Sequence, residues 1–205
     1  MRTITTVIAG GLALLAMLTG CAQQQPSPGD ESPYNGTEIT GAFTLPDATF
    51  TTTEGEDYNL KQDSAGTLTA VFFGFTNCPD ICPTTMADIS QAVEKLSAEQ
   101  REHFQVIFVT ADPQRDDTEV MRMWLDSFDS SFIGLTGELA TIDAAAADLG
   151  VSIERSEDRS GDYQVGHGSQ VLLFSPEGRS QLMWRYGTEP AAMTEDLRML
   201  LEQEA

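Results

Sequence analysis

Residues 68–83, LTAVFFGFTNCPDICP, contain the clearest structural pattern in this chain. The first half, Leu68 to Phe75, is a nearly continuous apolar run, which is typical of a strand buried on both faces of a sheet. The second half is a short loop with two cysteines, and Pro83 suits the first position of a helix. The stretch therefore predicts a central strand that leads through a cysteine-bearing loop into a helix.

The residues that follow complete a strand–helix–strand unit. Apolar side chains recur on one helical face from Pro83 to Leu96, and Phe104 to Thr110 (FQVIFVT) is a second buried run. Two such runs joined by a helix favour parallel neighbours at the centre of one sheet.

The flanking segments give the remaining elements. Further strands are predicted at 43–45, 49–52, 58–60 and 132–135, a hairpin at 171–174 and 181–186, and helices near 117–128, 138–149 and 190–204. The order predicts an α/β protein of the thioredoxin-like sandwich type: a central mixed sheet flanked by helices, with an N-terminal β extension.

The N-terminus is predicted to be a lipoprotein signal peptide. Arg2 is the only charge before an apolar stretch from Val7 to Leu18, and Leu18-Thr19-Gly20 leads into Cys21. A transmembrane helix is the alternative, but the stretch is shorter than the roughly 20 residues that span a bilayer. We expect a signal peptide at 1–20, acylation of Cys21, a flexible tether at 21–38 and a folded domain at 39–205, held at the extracytoplasmic face of the cell membrane.

The charge of the chain restricts its partners. Acidic residues number 32 against 11 basic ones, for a formal net charge of −21. Such a chain is repelled by phosphate backbones, so nucleic acid is excluded as a partner. Basic proteins and cations are favoured, although a halophilic lifestyle would give the same bias.

Cys78 and Cys82 follow the central strand, at the sheet edge where open α/β proteins bind ligands. Cys82 is predicted at the helix N-cap, where backbone N–H groups and the helix dipole favour a thiolate. The pair can form a disulfide, ligate a metal or alternate between these states. A purely structural disulfide is disfavoured, because such a short loop yields little stabilisation on closure.

His167 is the candidate third group. It lies between two glycines, in QVGHGSQ at 164–170, just before a predicted strand. Taken alone, a single histidine is more often an ordinary surface or core residue. Two thiolates and one imidazole suit three-coordinate Cu(I). Zinc is the alternative metal, although it would seek a fourth ligand.

Three other polar residues, Asp80, Asp112 and His103, are further candidates for a place near the site. Asp80 lies between the cysteines, and Asp112 follows the second buried strand, so either could support the ligands, although a turn or capping role is favoured for Asp112. His103 has charged neighbours and is predicted to be solvated.

With these residues in place, the chain resembles the Sco/SenC family of copper-binding, thioredoxin-like proteins. The resemblance spans about residues 39–202 and is carried by GFTNCPDICP at 74–83, DPQRD at 112–116, His167 and SPEG at 175–178. It implies that the domain at 39–205 binds copper, as Cu(I) or Cu(II), through Cys78, Cys82 and His167. It also implies an extracytoplasmic copper donor and delivery to the binuclear copper centre of cytochrome c oxidase subunit II or to another cuproprotein.

The chain departs from the family pattern at two places. Gly166 stands where many members have an aspartate, and Asp117-Thr118 stands where a Thr-Pro often follows the Arg-Asp pair. The first departure removes a group that would tune the histidine.

Two other functions use the same residues. A thiol–disulfide oxidoreductase would employ Cys78 and Cys82 as a catalytic pair and a redox-active disulfide, to reduce the copper-binding cysteines of the partner. A thiol peroxidase or redox sensor would use Cys78, but would leave Cys82 and His167 without a role.

Overall fold

The structure, a computed structural model, describes residues 32–156, 158 and 163–203. The predicted signal peptide, Cys21 and most of the predicted tether lie outside these residues. The strands are β1 (Thr37–Glu38), β2 (Thr49–Thr52), β3 (Asp57–Asn59), β4 (Leu68–Gly74), β5 (Phe104–Thr110), β6 (Ile133–Thr136), β7 (Ile153–Arg155), β8 (Val165–His167), β9 (Val171–Phe174) and β10 (Ser180–Trp184). The helices are α1 (Ile81–Glu94), α2 (Ala98–Glu102), α3 (Thr118–Leu125), α4 (Leu139–Asp148) and α5 (Pro190–Gln203).

One mixed sheet organises the domain. Its strand order is β1-β10-β9-β4-β5-β6-β2-β3, with β4, β5 and β6 parallel and the outer strands antiparallel to their neighbours. Leu68 pairs with Phe104 and Gly74 with Thr110, so β4 and β5 end together. This confirms the predicted central parallel pair, and it brings the segments after the two strands to the same edge of the sheet.

The two faces of β4 explain its continuous apolar sequence. Phe72 belongs to a buried cluster with Met86 of α1 and Leu197 of α5, whereas Phe73 belongs to a second cluster with Ile142 of α4. All seven residues of β4 are buried, since side chains alternate between the two faces and helices cover both. The strand therefore holds the cysteine loop on a rigid support.

The folded region begins before the predicted boundary at residue 39. Thr37–Glu38 pair with β10, and the N–H groups of Asn35 and Gly36 donate to the buried carboxylate of Asp196 at 2.7 and 2.9 Å. Backbone hydrogen bonds and a buried acceptor thus tie residues 35–38 to the domain. The predicted strand at 43–45 is reduced to a single bridge between Thr44 and Arg179.

Local boundaries also differ at the helices. Helix α1 begins at Ile81 with Asp80 as its N-cap, two residues earlier than Pro83 suggests. Helix α2 was not predicted, although Ser97 and Gln100 form a capping box at its start. Within the part of the chain that the structure describes, no helix has the length and apolar character needed to cross a membrane.

Candidate metal centre

Cys78, Cys82 and His167 meet at the end of the sheet where β4 terminates. Their three potential donor atoms all lie within 4.8 Å of one another. Cys78 lies in the loop after β4, Cys82 in the first turn of α1 and His167 at the end of β8. The structure therefore brings together the three residues that the sequence proposes as ligands.

The cysteine loop is shaped by backbone hydrogen bonds. The N–H of Cys78 donates to the carbonyl of Phe75 at 3.2 Å, which turns the chain back after β4. The N–H of Cys82 then donates to the sulfur of Cys78 at 3.4 Å. A free N–H at a helix start thus holds the Cys78 sulfur against the first turn of α1, and both residues are free thiols.

Gly74 provides the space for the second sulfur. A Cβ atom at this position would lie 2.7 Å from Cε2 of Phe108, 3.1 Å from Cε1 of Phe72 and 3.2 Å from Sγ of Cys82. Each of these neighbours is fully buried and has little room to move. Glycine at the end of β4 therefore allows Cys82 to pack against the strand.

The ring of His167 has a defined tautomer. Its Nδ1 lies 2.8 Å from the carbonyl oxygen of Gly168, which can only accept, so Nδ1 carries the proton. The other nitrogen, Nε2, lies 3.1 Å from Sγ of Cys82. Phe72 and Phe75 contact the ring edge-to-face, with centroids at 5.7 and 5.8 Å. The imidazole thus presents an unprotonated nitrogen to the two sulfurs.

Burial sets the protonation of both groups. It raises the pKa of the Cys82 thiol, because the charged thiolate is desolvated in this environment. It lowers the pKa of His167, although the hydrogen bond to Gly168 acts in the opposite direction. Without metal, the site is thus a neutral thiol beside a neutral imidazole. The prediction that a helix N-cap position favours the Cys82 thiolate is wrong: Asp80 is the N-cap, and desolvation dominates.

Gly166 is exposed and lies opposite Glu154 in the β7–β8 pair. Successive side chains of a strand point to opposite faces, so a side chain at position 166 points away from the face that carries His167. A backbone carbonyl, that of Gly168, holds the histidine ring instead. The departure from the family pattern therefore leaves His167 with a hydrogen-bond partner.

Asp80, Asp112 and His103 are not part of the cluster formed by Cys78, Cys82 and His167. Asp112 is buried, accepts a hydrogen bond from the Tyr163 hydroxyl at 2.6 Å and forms an ion pair with Arg115. Asp80 is exposed at the start of α1, with no side-chain capping bond. His103 is exposed near the start of β5, at the opposite end of the strands from Gly74.

Asp116 supports the loop that carries Cys78, a role that was not predicted from the sequence. Its fully buried carboxylate accepts hydrogen bonds from the N–H of Thr76 at 3.0 Å and from the hydroxyls of Thr76 and Thr110 at 2.6 Å each. Burial raises its pKa, and these three donors act against that rise. The signal was present in the DPQRD motif, where a second aspartate follows a buried strand.

The donor set fits a soft metal ion. Two sulfur atoms and one imidazole nitrogen match the preference of Cu(I) for soft ligands and low coordination number. Hard cations such as Mg²⁺ and Ca²⁺ prefer oxygen ligands, and none of the three donors is an oxygen.

Comparison with known proteins identifies the family. Residues 32–202 match the SCO1/SenC family profile. The SCO2-like protein of Rickettsia felis is 30% identical over 198 residues, which cover 95% of this chain and 93% of that protein. The match to the human mitochondrial SCO2 homolog spans only 45% of that protein's length.

Solved structures share the fold. Apo Sco1 of Thermus thermophilus superposes with a TM-score of 0.69 at 33% identity, covering 84% of this chain and 99% of that one. ScoI of Bradyrhizobium japonicum, solved with copper bound, gives a TM-score of 0.68 at 27% identity and covers 80% and 98%. The predicted thioredoxin-like architecture is confirmed, and the chain belongs to the SCO1/SenC family.

Proposed function

We propose that this chain binds copper through Cys78, Cys82 and His167 and delivers it to the binuclear copper centre of cytochrome c oxidase subunit II. The observation that carries the proposal is the convergence of two sulfurs and Nε2 of His167 within 4.8 Å. A copper-bound structure exists for a relative with the same fold, ScoI of Bradyrhizobium japonicum. The Sco family is one of cytochrome c oxidase assembly proteins.

The unequal burial of the ligands supports transfer by ligand exchange. Cys82 is fully buried, whereas Cys78 and His167 are half-buried. A partner thiolate can approach the metal beside Cys78, while Cys82 retains it until the new bond has formed. Delivery in this order requires no covalent intermediate on the protein.

The location and the donor are part of the same proposal. The N-terminal pattern that ends at Cys21 supports a lipid-anchored protein at the extracytoplasmic face of the membrane. An upstream copper donor in that compartment would supply the metal. The formal charge of −21 favours a basic docking face on the donor and on the recipient, which could also be another cuproprotein.

A thiol–disulfide oxidoreductase is the second candidate. The sulfurs of Cys78 and Cys82 lie within 4.8 Å, so a small movement would allow a disulfide between them. The half-buried Cys78 would attack the partner, and Cys82 would resolve the mixed disulfide. The raised pKa of Cys82 disfavours this second step, since the thiolate is the nucleophile.

Anaerobic titration of the reduced full-length chain with Cu(I), in competition with a chromophoric chelator, tests the proposal. We expect one tightly bound Cu(I) per chain, and transfer of that copper to a soluble subunit II domain. His167→Ala should weaken binding, while His103→Ala, which removes an exposed histidine far from the site, should not. Reduction of a subunit II disulfide by a chain that retains no copper would favour the oxidoreductase.

A further inference from the structure

The turn at 111–116, ADPQRD, contacts both segments that carry the candidate ligands. It connects β5 to α3 and begins beside the end of β4, where the N–H of Ala111 donates to the carbonyl of Gly74 at 2.6 Å. Two carboxylates of the turn, Asp112 and Asp116, are 1% and 0% exposed. Buried carboxylates require partners, and here the partners lie on different segments.

Asp116 contacts the segment that leads from β4 to Cys78. It accepts from both the N–H and the hydroxyl of Thr76, two residues before Cys78. These charge-assisted hydrogen bonds fix the point at which the chain leaves β4.

Asp112 contacts the segment that leads into β8 and His167. The hydroxyl of Tyr163 donates to its Oδ1 at 2.6 Å, and the guanidinium of Arg115 lies 3.8 Å from the centroid of the Tyr163 ring. A second hydrogen bond also joins the turn to this part of the chain: Nε of Arg155 in β7 donates to the carbonyl of Ala111 at 2.7 Å. The turn therefore contacts both β7 and the residue two positions before β8.

Tyr163 is placed so that it can transmit this restraint to His167. In extended chain, residues 163, 165 and 167 point to the same face. Tyr163 and Val165 are buried in the apolar cluster that also contains Cys82, and His167 ends the series against Phe72 and Phe75. Because Tyr163 lies two residues before β8, a displacement of Tyr163 would shift β8 and move Nε2 of His167 relative to the sulfurs.

We propose that Asp112 is a positioning residue for His167 and acts through the hydroxyl of Tyr163. The inference rests on the proposed copper-binding function, but it concerns the position of one ligand rather than the identity of the metal. It gives the first aspartate of the DPQRD motif a role distinct from metal ligation. The second aspartate supports the cysteines in parallel.

Tyr163→Phe isolates the hydrogen bond, since it keeps the ring against Arg115 and removes only the hydroxyl. We expect about 10-fold weaker copper binding, the size of effect typical of groups that orient a ligand. In the Cu(II)-loaded full-length chain, the ¹⁴N hyperfine coupling of His167 should become weaker, or the lines that report it should become broader. Tyr58→Phe is the matched control, because the Tyr58 hydroxyl is also hydrogen-bonded, to Ser64 and Gln105, on the opposite side of the sheet. It should retain the wild-type affinity and coupling.

A second pair of variants tests Asp112 itself. Asp112→Asn keeps an oxygen that can accept from Tyr163, whereas Asp112→Ala does not, so asparagine should recover most of the His167 coupling that alanine loses. A purely structural role of the charge would make the two variants equally defective. Thermal unfolding of each variant shows whether it folds.

The metal-free chain provides a readout that does not depend on copper. The ¹⁵N shifts of the His167 ring report its tautomer and the bond from Nδ1 to Gly168. We expect Tyr163→Phe to change these shifts and Tyr58→Phe to leave them unchanged. Wild-type shifts and wild-type copper coupling in Tyr163→Phe would overturn the inference. Failure of the wild-type chain to bind copper, with altered shifts in Tyr163→Phe, would instead overturn the proposed function alone.

Discussion

Nε2 of His167 lies 3.1 Å from Sγ of Cys82, although 85 positions separate the two residues in the chain. The contact joins the first turn of α1 to the end of β8. Because Nδ1 is bonded to Gly168, Nε2 is the nitrogen that faces the sulfur. Protonation of this one imidazole therefore affects both the stability of the metal-free fold and the capacity of the site for metal.

Stability of the metal-free chain should depend on pH through His167. Burial lowers its pKa in the folded state, so its contribution is fully present above the unfolded pKa of about 6.5 and is lost as pH falls through the folded value. Each unit of lowering corresponds to about 1.4 kcal/mol. The measurement is the free energy of unfolding of wild type and His167→Gln between pH 8 and pH 4. The difference in unfolding free energy between wild type and His167→Gln should be constant at alkaline pH. Below about pH 6.5 the wild type should lose stability relative to the variant. A pH-independent difference would contradict this assignment.

Copper loading should release protons from the thiols. Burial raises the pKa of Cys82, so this residue is protonated at neutral pH and must lose its proton to bind metal. The apparent Cu(I) affinity should therefore rise by about tenfold per pH unit for each proton displaced. Competition titrations between pH 6 and pH 8 measure the slope. A Cys82→Ala variant, which lacks this proton, should show a shallower slope, and an equal slope would place the titrating group elsewhere.

Gly74→Ala should damage both the fold and the site. The added Cβ would lie 2.7 Å from Phe108 and 3.2 Å from Sγ of Cys82, in a region without free space. Such overpacking typically costs about 1–3 kcal/mol, measurable by denaturant unfolding. We also expect weaker Cu(I) binding, because the Cys82 sulfur must move.

Gly166→Ala is the control for that substitution. Its Cβ would lie 3.6 Å from the nearest atom, Cβ of Glu154, in an exposed strand with ordinary backbone geometry. Replacing a strand glycine should leave stability unchanged or increase it by about 0.5–1 kcal/mol. Equal losses of stability from Gly74→Ala and Gly166→Ala would show that the packing around Cys82 is no tighter than at an exposed strand position.

Asp196 should be the residue that holds the N-terminal segment to the domain. Its buried carboxylate accepts from the N–H groups of Asn35 and Gly36 and from Nε1 of Trp184 at 2.9 Å. Asp196→Ala leaves these donors unpaired, with an expected loss of about 1–3 kcal/mol for each group that stays buried. Urea unfolding measures the loss, and limited proteolysis should show earlier cleavage near residue 35. Glu202→Ala, an exposed change in the same helix, should behave like wild type.

The parts of the fold that follow from local pattern were predictable. The strands β4 and β5 are continuous apolar runs, and Cys78 and Cys82 lie in the segment that leads from β4 into α1, so sequence proximity alone places both cysteines at one sheet edge. His167 required more, because no local pattern connects β8 to the cysteine loop. Its assignment as a ligand depended mainly on family resemblance.

Elements held by long-range contacts were missed. Strand β1 has only two residues, both exposed, and exists because β10 and Asp196 provide partners. The β7–β8 pair contains charged and glycine residues, which weaken any strand signal. The sequence placed Asp112 near the metal loop, but its partner Tyr163 lies 51 positions away, and spacing does not reveal such a bond.

X-ray absorption spectroscopy of the anaerobically reduced full-length chain, loaded with one equivalent of Cu(I), identifies the ligands of the metal. We expect a three-coordinate copper with two sulfur ligands and one imidazole nitrogen, and loss of the nitrogen shell in His167→Ala but not in His103→Ala. A spectrum with only sulfur ligands, or a His167→Ala spectrum identical to wild type, would contradict it.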